Sequence, residues 1–299
     1  MQTLYSLEAI NNEVGPGDAI TILKKNIEQS KQLFAYLVYF ITEVALYAEV
    51  DALQKSGKYL PTHGDLNINT KITENEIIQV ILKDKSFKKI VNEYDLKHLI
   101  DDDLVKKLYQ LLVNSPEYQL YISIPARDKK SEKKILEFIF SDLMLPNEDF
   151  ISHIEEHFIH WDDDGEMMIV LMANFFQRSG TFNFNEILTL EKWEFAKDLL
   201  GCVNNKKKYC LELIKPKLKN WDVERIAALD MILMQMGLCE FLYFETIPPK
   251  VTINEYIDLA KDYSTPQSGH FVNGILDNIH KELISENKIH KKNFKNSTL

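Results

Sequence analysis

Glycine and proline turn a chain, and this chain has only 10 and 9 of them in 299 residues. Tightly turned β-architecture needs both in quantity, so their scarcity predicts long helices. A chain of this length with 45% apolar and 11% aromatic residues can bury one elaborate core or two ordinary ones. The run FAYLVYFITEVALYAEV (34–50) is short for a membrane span and is interrupted by Glu43 and Glu49, which makes it a buried helix. No membrane association is expected. Cys202, Cys210 and Cys239 are odd in number and irregular in spacing, so they fit neither a disulfide framework nor a zinc knuckle. They read as reduced core residues of a cytosolic protein, and no secretory signal is legible, so the expected localisation is cytoplasmic.

Charge divides the chain. Residues 186–299 hold 16 Lys and Arg against 16 Asp and Glu, whereas residues 1–185 hold 19 against 29 and carry the whole net charge of −10. An acidic front half argues against general nucleic-acid binding, whose footprint is basic, but leaves room for a local RNA site.

The pattern is helical nearly throughout. Helices are predicted over about 1–10, 18–54 with Asp18 as cap, 74–91, 96–113, 128–143, 147–160 and 165–178, with 57–70 as the longest loop. YQLYISI (118–124) alternates weakly and is assigned to helix or loop for want of a pairing partner. Further helices are predicted over 189–202, 205–218, 221–244, 251–263 and 266–285. In the third of these Ile226, Leu229, Leu233 and Met236 form one apolar stripe, and in the fourth Ile253, Ile257 and Ala260 face one way.

HIEEHFIHW (153–161) contains His153, Glu156 and His157 in the H-x-x-E-H spacing of inverted zinc peptidases. Three fixed positions arise often in an acidic helical chain, and a helix with Ile154 and Phe158 inward is the stronger reading. WDDDGE (161–166) lacks calcium-loop spacing and reads as an acidic helix N-terminus. Neither G-x-S-x-G, nor a phosphate-cradling glycine loop, nor a Rossmann fingerprint is present. The reading is therefore of a protein that is not an enzyme, with no metal and no cofactor.

In STPQSGHFVNGILDNIH (264–280), Thr265 suits an N-cap and Pro266 the first helical position. Val272, Ile275, Leu276, Ile279 and Leu283 make one apolar stripe, while Gln267, His270, Gly274 and Asn278 fall on the other side. Phe271 sits at the rim, roughly 85° from the stripe's centre. A ring at the edge of an amide-bearing face can stack a splayed base while its neighbours read the base edge. By pattern alone, a rim phenylalanine that only covers the core is the stronger reading.

IPPKVTINEYIDLAKDYSTPQSGHFVNGILDNI resembles the C-terminal signature of the NusB transcription-antitermination family, through Pro248 to Val251, Ile253 to Glu255, Leu259 to Lys261 and His270 to Asp277. EFAKDLLGCV (194–203), RIAALDMILMQMGLCEFL (225–242) and MQTLYSLEA (1–9) resemble the family's middle and first helices. The resemblance implies an all-α fold, a NusB-like helical bundle interrupted after its first helix by a large helical insertion. The expected organisation is a first helix (1–10), an acidic insertion (11–185), the rest of the bundle (186–285) and a basic, frayed tail (286–299).

The implied function is transcription antitermination: binding of boxA-type RNA together with the small-subunit ribosomal protein NusE, so that RNA polymerase in the antitermination complex completes ribosomal RNA operons. By motif matching, Tyr5, Gln267 and Phe271 fall in the RNA-facing region, with Asn278 beside them, and Asp230 and Glu224 face NusE. The basic runs at 204–209 and 288–292 are further phosphate candidates or solvated helix ends.

The chain departs from the family in three ways. An arginine-rich arm usually precedes the first helix, so either an upstream start or weaker salt-dependent affinity is expected. Gln267 stands where an acidic residue is common, and 11–185 replaces a short connection. A helical protein–protein adaptor that has lost RNA binding is the alternative reading.

Overall fold

The computed structural model describes residues 1–9, 16–178, 182–184, 187–218 and 226–292, and all the described secondary structure is helical. The chain divides into two compact units, one of residues 1–26 with 188–299 and the other of residues 27–187.

The first unit contains α1 (Gln2–Ala9), the start of α2 (Pro16–Ser56), and the last four helices. Helix α2 opens at Pro16, which needs no N–H at that position, so Asp18 lies inside the first turn rather than capping it. Residues 17–26 group with this unit although the sequence reading placed them in the insertion. Ala19 is buried in its core, Ile22 and Leu23 pack against it, and Asn26 Nδ2 donates to Thr3 Oγ1 at 3.2 Å.

The axis of the second unit is α2, where Leu33, Phe34, Tyr36, Leu37, Phe40, Ile41, Val44, Ala45 and Ala48 are buried. This helix is long and apolar enough to cross a membrane by composition alone, yet 67% of its most apolar stretch is buried within the unit. Around it stand α3 (His63–Leu66), α4 (Glu76–Lys83), α5 (Lys85–Glu93), α6 (Asp102–Val113), α7 (Pro116–Ser123), α8 (Lys129–Phe138), α9 (Glu148–His157) and α10 (Trp161–Arg178).

Several boundaries differ from the sequence reading, each for a local reason. The 74–91 helix is two, because Asp84 leaves helical geometry and its carboxylate accepts from the Phe87 N–H at 2.8 Å. The supposed loop 57–70 holds a short helix closed by a Thr62–Asp65 capping box. YQLYISI is helical: Ser115 caps it, Pro116 starts it, and Tyr118 and Tyr121 turn inward. Trp161 rather than Gly165 opens α10, with Asp162, Asp163 and Asp164 in its first turn, where they complement the helix dipole. After α8 the chain widens into a π-helical segment, Ile139–Met144.

Among the described residues, the buried polar side chains of this unit have hydrogen-bond partners. Glu132 is fully buried and accepts from the Glu76 N–H and the Tyr121 hydroxyl at 2.9 and 3.0 Å. His153 Nε2 lies 2.5 Å from the Tyr36 hydroxyl, which donates its proton to the Leu99 carbonyl. Ile154 and Phe158 point into the core as expected. No group of three or more His, Cys, Asp or Glu side chains is placed to hold a metal ion among the described residues.

The first unit is completed by α11 (Leu190–Ile214), α12 (Ala228–Tyr243), α13 (Pro249–Tyr263) and α14 (Ser268–Ser285). The two helices expected over 189–218 are one α-helix to Ile214. Asn204 and Asn205 cost only a few tenths of a kcal/mol in propensity, and Leu199, Val203, Cys210 and Ile214 on either side are buried. Helix α12 is not a single stripe: every residue from Ile232 to Phe241 is buried, because α1, α11, α13 and α14 all pack on it. Gly237 permits that crowding, since a Cβ there would stand 3.0 Å from both Leu276 methyls. On α13 the buried line is Thr252, Tyr256 and Ala260, with Ile253 and Ile257 beside it. Tyr256 turns inward because its hydroxyl donates to the buried Glu240 carboxylate at 2.6 Å, and Thr252 donates to the same group at 2.8 Å. Burial raises the Glu240 pKa above the usual carboxylate value, against those two bonds.

The first part of the basic tail is not frayed. Lys291 Nζ donates to the Glu240 and Phe244 carbonyls at 2.7 Å each, capping the C-terminal end of α12.

Candidate nucleic-acid interface

Helix α14 carries the amide-bearing face. Its inner side is Val272, Ile275, Leu276, Ile279 and Leu283, all buried, as the sequence predicts. Gln267, His270, Asn273, Gly274 and Asn278 are exposed, and Phe271 is half-buried at the boundary, packed against the core. Gln267, Phe271, Gly274 and Asn278 follow one another at spacings of four, three and four, so they line one ridge of the helix.

The N-terminus of that ridge is braced from within. The α-helix begins at Ser268 rather than Pro266, preceded by a turn in which the Ser268 N–H donates to the Thr265 carbonyl at 2.9 Å. The Ser268 hydroxyl accepts from the Thr265 N–H at 3.2 Å and donates to Asp230 Oδ2 at 2.8 Å, while Ser264 donates to Asp230 Oδ1 at 2.7 Å. Asp230 is only 5% exposed. It is thus not a solvated helix carboxylate. Both of its oxygens are engaged inside the unit, and its charge sits at the positive end of α14. Glu224, the other partner-facing candidate, lies outside the described residues.

Tyr5 is 51% exposed on α1, while Thr3, Leu4 and Leu7 of the same helix are buried. It is therefore not a core tyrosine. Helices α1 and α14 both pack on α12, which fixes the two aromatic positions to a common support. Of the basic run at 204–209, Lys207 pairs with Glu8 at 2.6 Å, Lys206 lies over the Tyr243 ring, and Lys208 is exposed.

Gly274 was on the polar side of the sequence pattern but carried no role there. An ideal Cβ built on it meets nothing within 4 Å. Packing therefore does not require glycine at this helix interior, where it costs about 0.8–1.0 kcal/mol relative to alanine. The bare backbone beside Phe271 leaves room for a flat group to lie close to the ridge. The Ser264–Asp230–Ser268 brace was also missed. Its signal was the spacing of Ser264 and Ser268, one helical turn apart around Pro266.

A helical bundle wrapped on one largely buried helix, with an aromatic-and-amide ridge on α14, defines an all-α module. The NusB family model matches residues 170–281, beginning within α10. The transcription antitermination protein NusB of Salinibacter ruber is 46% identical over 80 residues, 27% of this chain and 50% of that protein. That of Chloroherpeton thalassium is 49% identical over 72 residues, 24% of this chain and 34% of its own length. That of Desulfatibacillum aliphaticivorans is 42% identical over 100 residues, 33% of this chain and 67% of its own. No solved structure matches the chain. The chain belongs to the NusB family, although it spans only half, or a third, of the length of the first two relatives.

Proposed function

We propose that this chain is a transcription antitermination factor, not an enzyme, that binds boxA-type RNA together with NusE within the antitermination complex of RNA polymerase. Phe271 stacks a splayed base, Gln267 and Asn278 hydrogen-bond to base edges or the backbone, and Tyr5 supplies a second aromatic surface. The observation that carries this reading is the α14 ridge itself: a half-buried ring held firmly from below, flanked by exposed amides and an open glycine backbone. Family membership and the printed names of the relatives support it.

The test is fluorescence anisotropy with a boxA-type RNA and a scrambled control, with and without NusE, at two salt concentrations. Preferential binding strengthened by NusE is expected. Base stacking is worth about 1–3 kcal/mol per base, so Phe271→Ala should weaken binding by roughly 5- to 150-fold. An unchanged affinity in a folded Phe271→Ala protein would defeat the proposal.

A second reading is supported by the acidic unit of residues 27–187, which has a hydrophobic core of its own. In that reading the chain is a protein–protein adaptor. Partner capture that survives nuclease, with no boxA preference, would favour it.

A further inference from the structure

The second unit holds an open groove between α7 and α8, with a volume of about 440 Å³. One wall is Glu117, Leu120, Tyr121 and Ile124, the i, i+3, i+4 and i+7 positions of one face of α7 and its end. The other wall is Ser131, Lys134, Ile135 and Phe138, the same spacing on α8. Two helix faces set side by side in this way leave a furrow that takes the ridge of a third helix. No helix of this chain fills it: Leu120 is 62% and Ile124 43% exposed, above a floor of buried Tyr121 and Ile135.

The groove is held open from behind. Lys71 Nζ donates to the Tyr121 and Ile124 carbonyls at 2.7 and 2.6 Å, which closes the C-terminal end of α7. The Tyr121 hydroxyl is fixed on Glu132, and Arg127, between the two helices, donates to the Glu74 carbonyl at 2.6 Å. Walls fixed before binding lose little further freedom when an occupant arrives.

The rim is acidic. Glu117, Glu137 and Asp142 stand there against Lys134, with Asp142 supplied by the π-helical segment that follows α8. Glu137 pairs with Lys133 of its own helix at 3.2 Å. Glu117 and Asp142 are exposed and have no paired cation among the described residues. Lys71 cannot serve them, because its ammonium is spent on backbone carbonyls and the Tyr121 ring. An apolar floor under unpaired carboxylates complements an occupant that is apolar on one side and cationic at its edge.

We propose that this groove receives an amphipathic helix of a partner protein, one with an aliphatic row on one face and lysine or arginine flanking it. The eight residues of α7 span about 12 Å, so two to three turns of the partner fill the site. Leu120 and Ile124 interdigitate with the aliphatic row, and Glu117 and Asp142 receive the cations.

The groove belongs to the second unit and the α14 ridge to the first, so either reading can fail without the other. To test this one, the full chain is panned against a displayed library of helical peptides of about 16 residues, roughly 24 Å long, with randomised positions. Enriched peptides are resynthesised with a fluorophore and titrated by anisotropy. Sequences with aliphatic residues at i, i+3 or i+4 and i+7 and with flanking Lys or Arg are expected. Leu120→Lys should weaken their binding by about tenfold or more, since it removes a buried aliphatic contact. Glu117→Gln with Asp142→Asn should cost up to about fivefold, an effect that added salt erases. Ile159→Lys, exposed and outside the groove, should change nothing. All of these side chains are on the surface, and circular dichroism checks that each variant is folded. Three results would overturn the proposal: no enrichment over a bait-free control, enrichment of acidic peptides, or binding that Leu120→Lys leaves intact.

Discussion

The Gly274→Ala substitution tests the candidate interface by separating stability from recognition. The added methyl meets no protein atom within 4 Å, so no packing cost offsets the gain in helix propensity. That gain is about 0.8–1.0 kcal/mol in a helix interior, and Gly274 lies six residues from the first and eleven from the last residue of α14. For a unit of this size it corresponds to a rise in Tm of roughly 3–5 °C. Urea unfolding should show a higher midpoint at unchanged m, since neither end state changes in exposed area. The same methyl stands on the ridge between Phe271 and Asn278, where the proposed base lies against the backbone. Holding a stacked base off by one methyl should forfeit about 1 kcal/mol of contact, a loss of about fivefold in boxA affinity. A more stable protein that binds less well is therefore the expected outcome. A variant that gained stability and bound RNA as tightly as before would refute the close approach, and one that lost stability would refute the openness of the site.

Other perturbations test the supports of that ridge and the second unit. Asp230→Ala leaves the Ser264 and Ser268 hydroxyls without their charged acceptor and removes a negative charge from the start of α14, so chemical denaturation should register a loss of about 2–4 kcal/mol. A loss below 0.5 kcal/mol would mean that the carboxylate braces nothing. In the second unit, burial first and neighbouring His157 next depress the His153 pKa, against Asp101 and Glu156. An imidazole whose folded pKa lies below its unfolded value favours the neutral form, so its contribution is intact above about pH 6.5 and is lost as pH falls through the depressed folded value. The decline in Tm between pH 7 and pH 5 should be shallower in His153→Gln, and an identical slope in both proteins would assign the acid sensitivity to other groups.

Much of this was legible in the sequence, and the parts that were not share a cause. Local chemistry can be read one residue at a time: sparse glycine and proline gave helices, Pro248–Pro249 gave the break before α13, and the 3.6-residue period of Val272, Ile275, Leu276, Ile279 and Leu283 gave the inner face of α14. The family signature was legible for the same reason, since its residues are contiguous. Choices made by packing were not. Nothing local distinguishes an Asp that continues a helix, as Asp258 does, from one that splits it, as Asp84 does. The stripe read into α12 was an underestimate, because a helix surrounded on all sides has no outer face, and only its neighbours reveal that.

Asp230 shows the division most clearly. Its charge, its helix and its family position were in the sequence, but the two serines that engage its oxygens lie 34 and 38 residues away. The sequence by itself determined that the chain is helical and which face of α14 is apolar, because helical periodicity and turn chemistry act within a few residues. Only the tertiary structure decided that Asp230 turns inward, that Gly274 stays bare and that Cys210 meets Cys239, because each depends on which helices lie beside it.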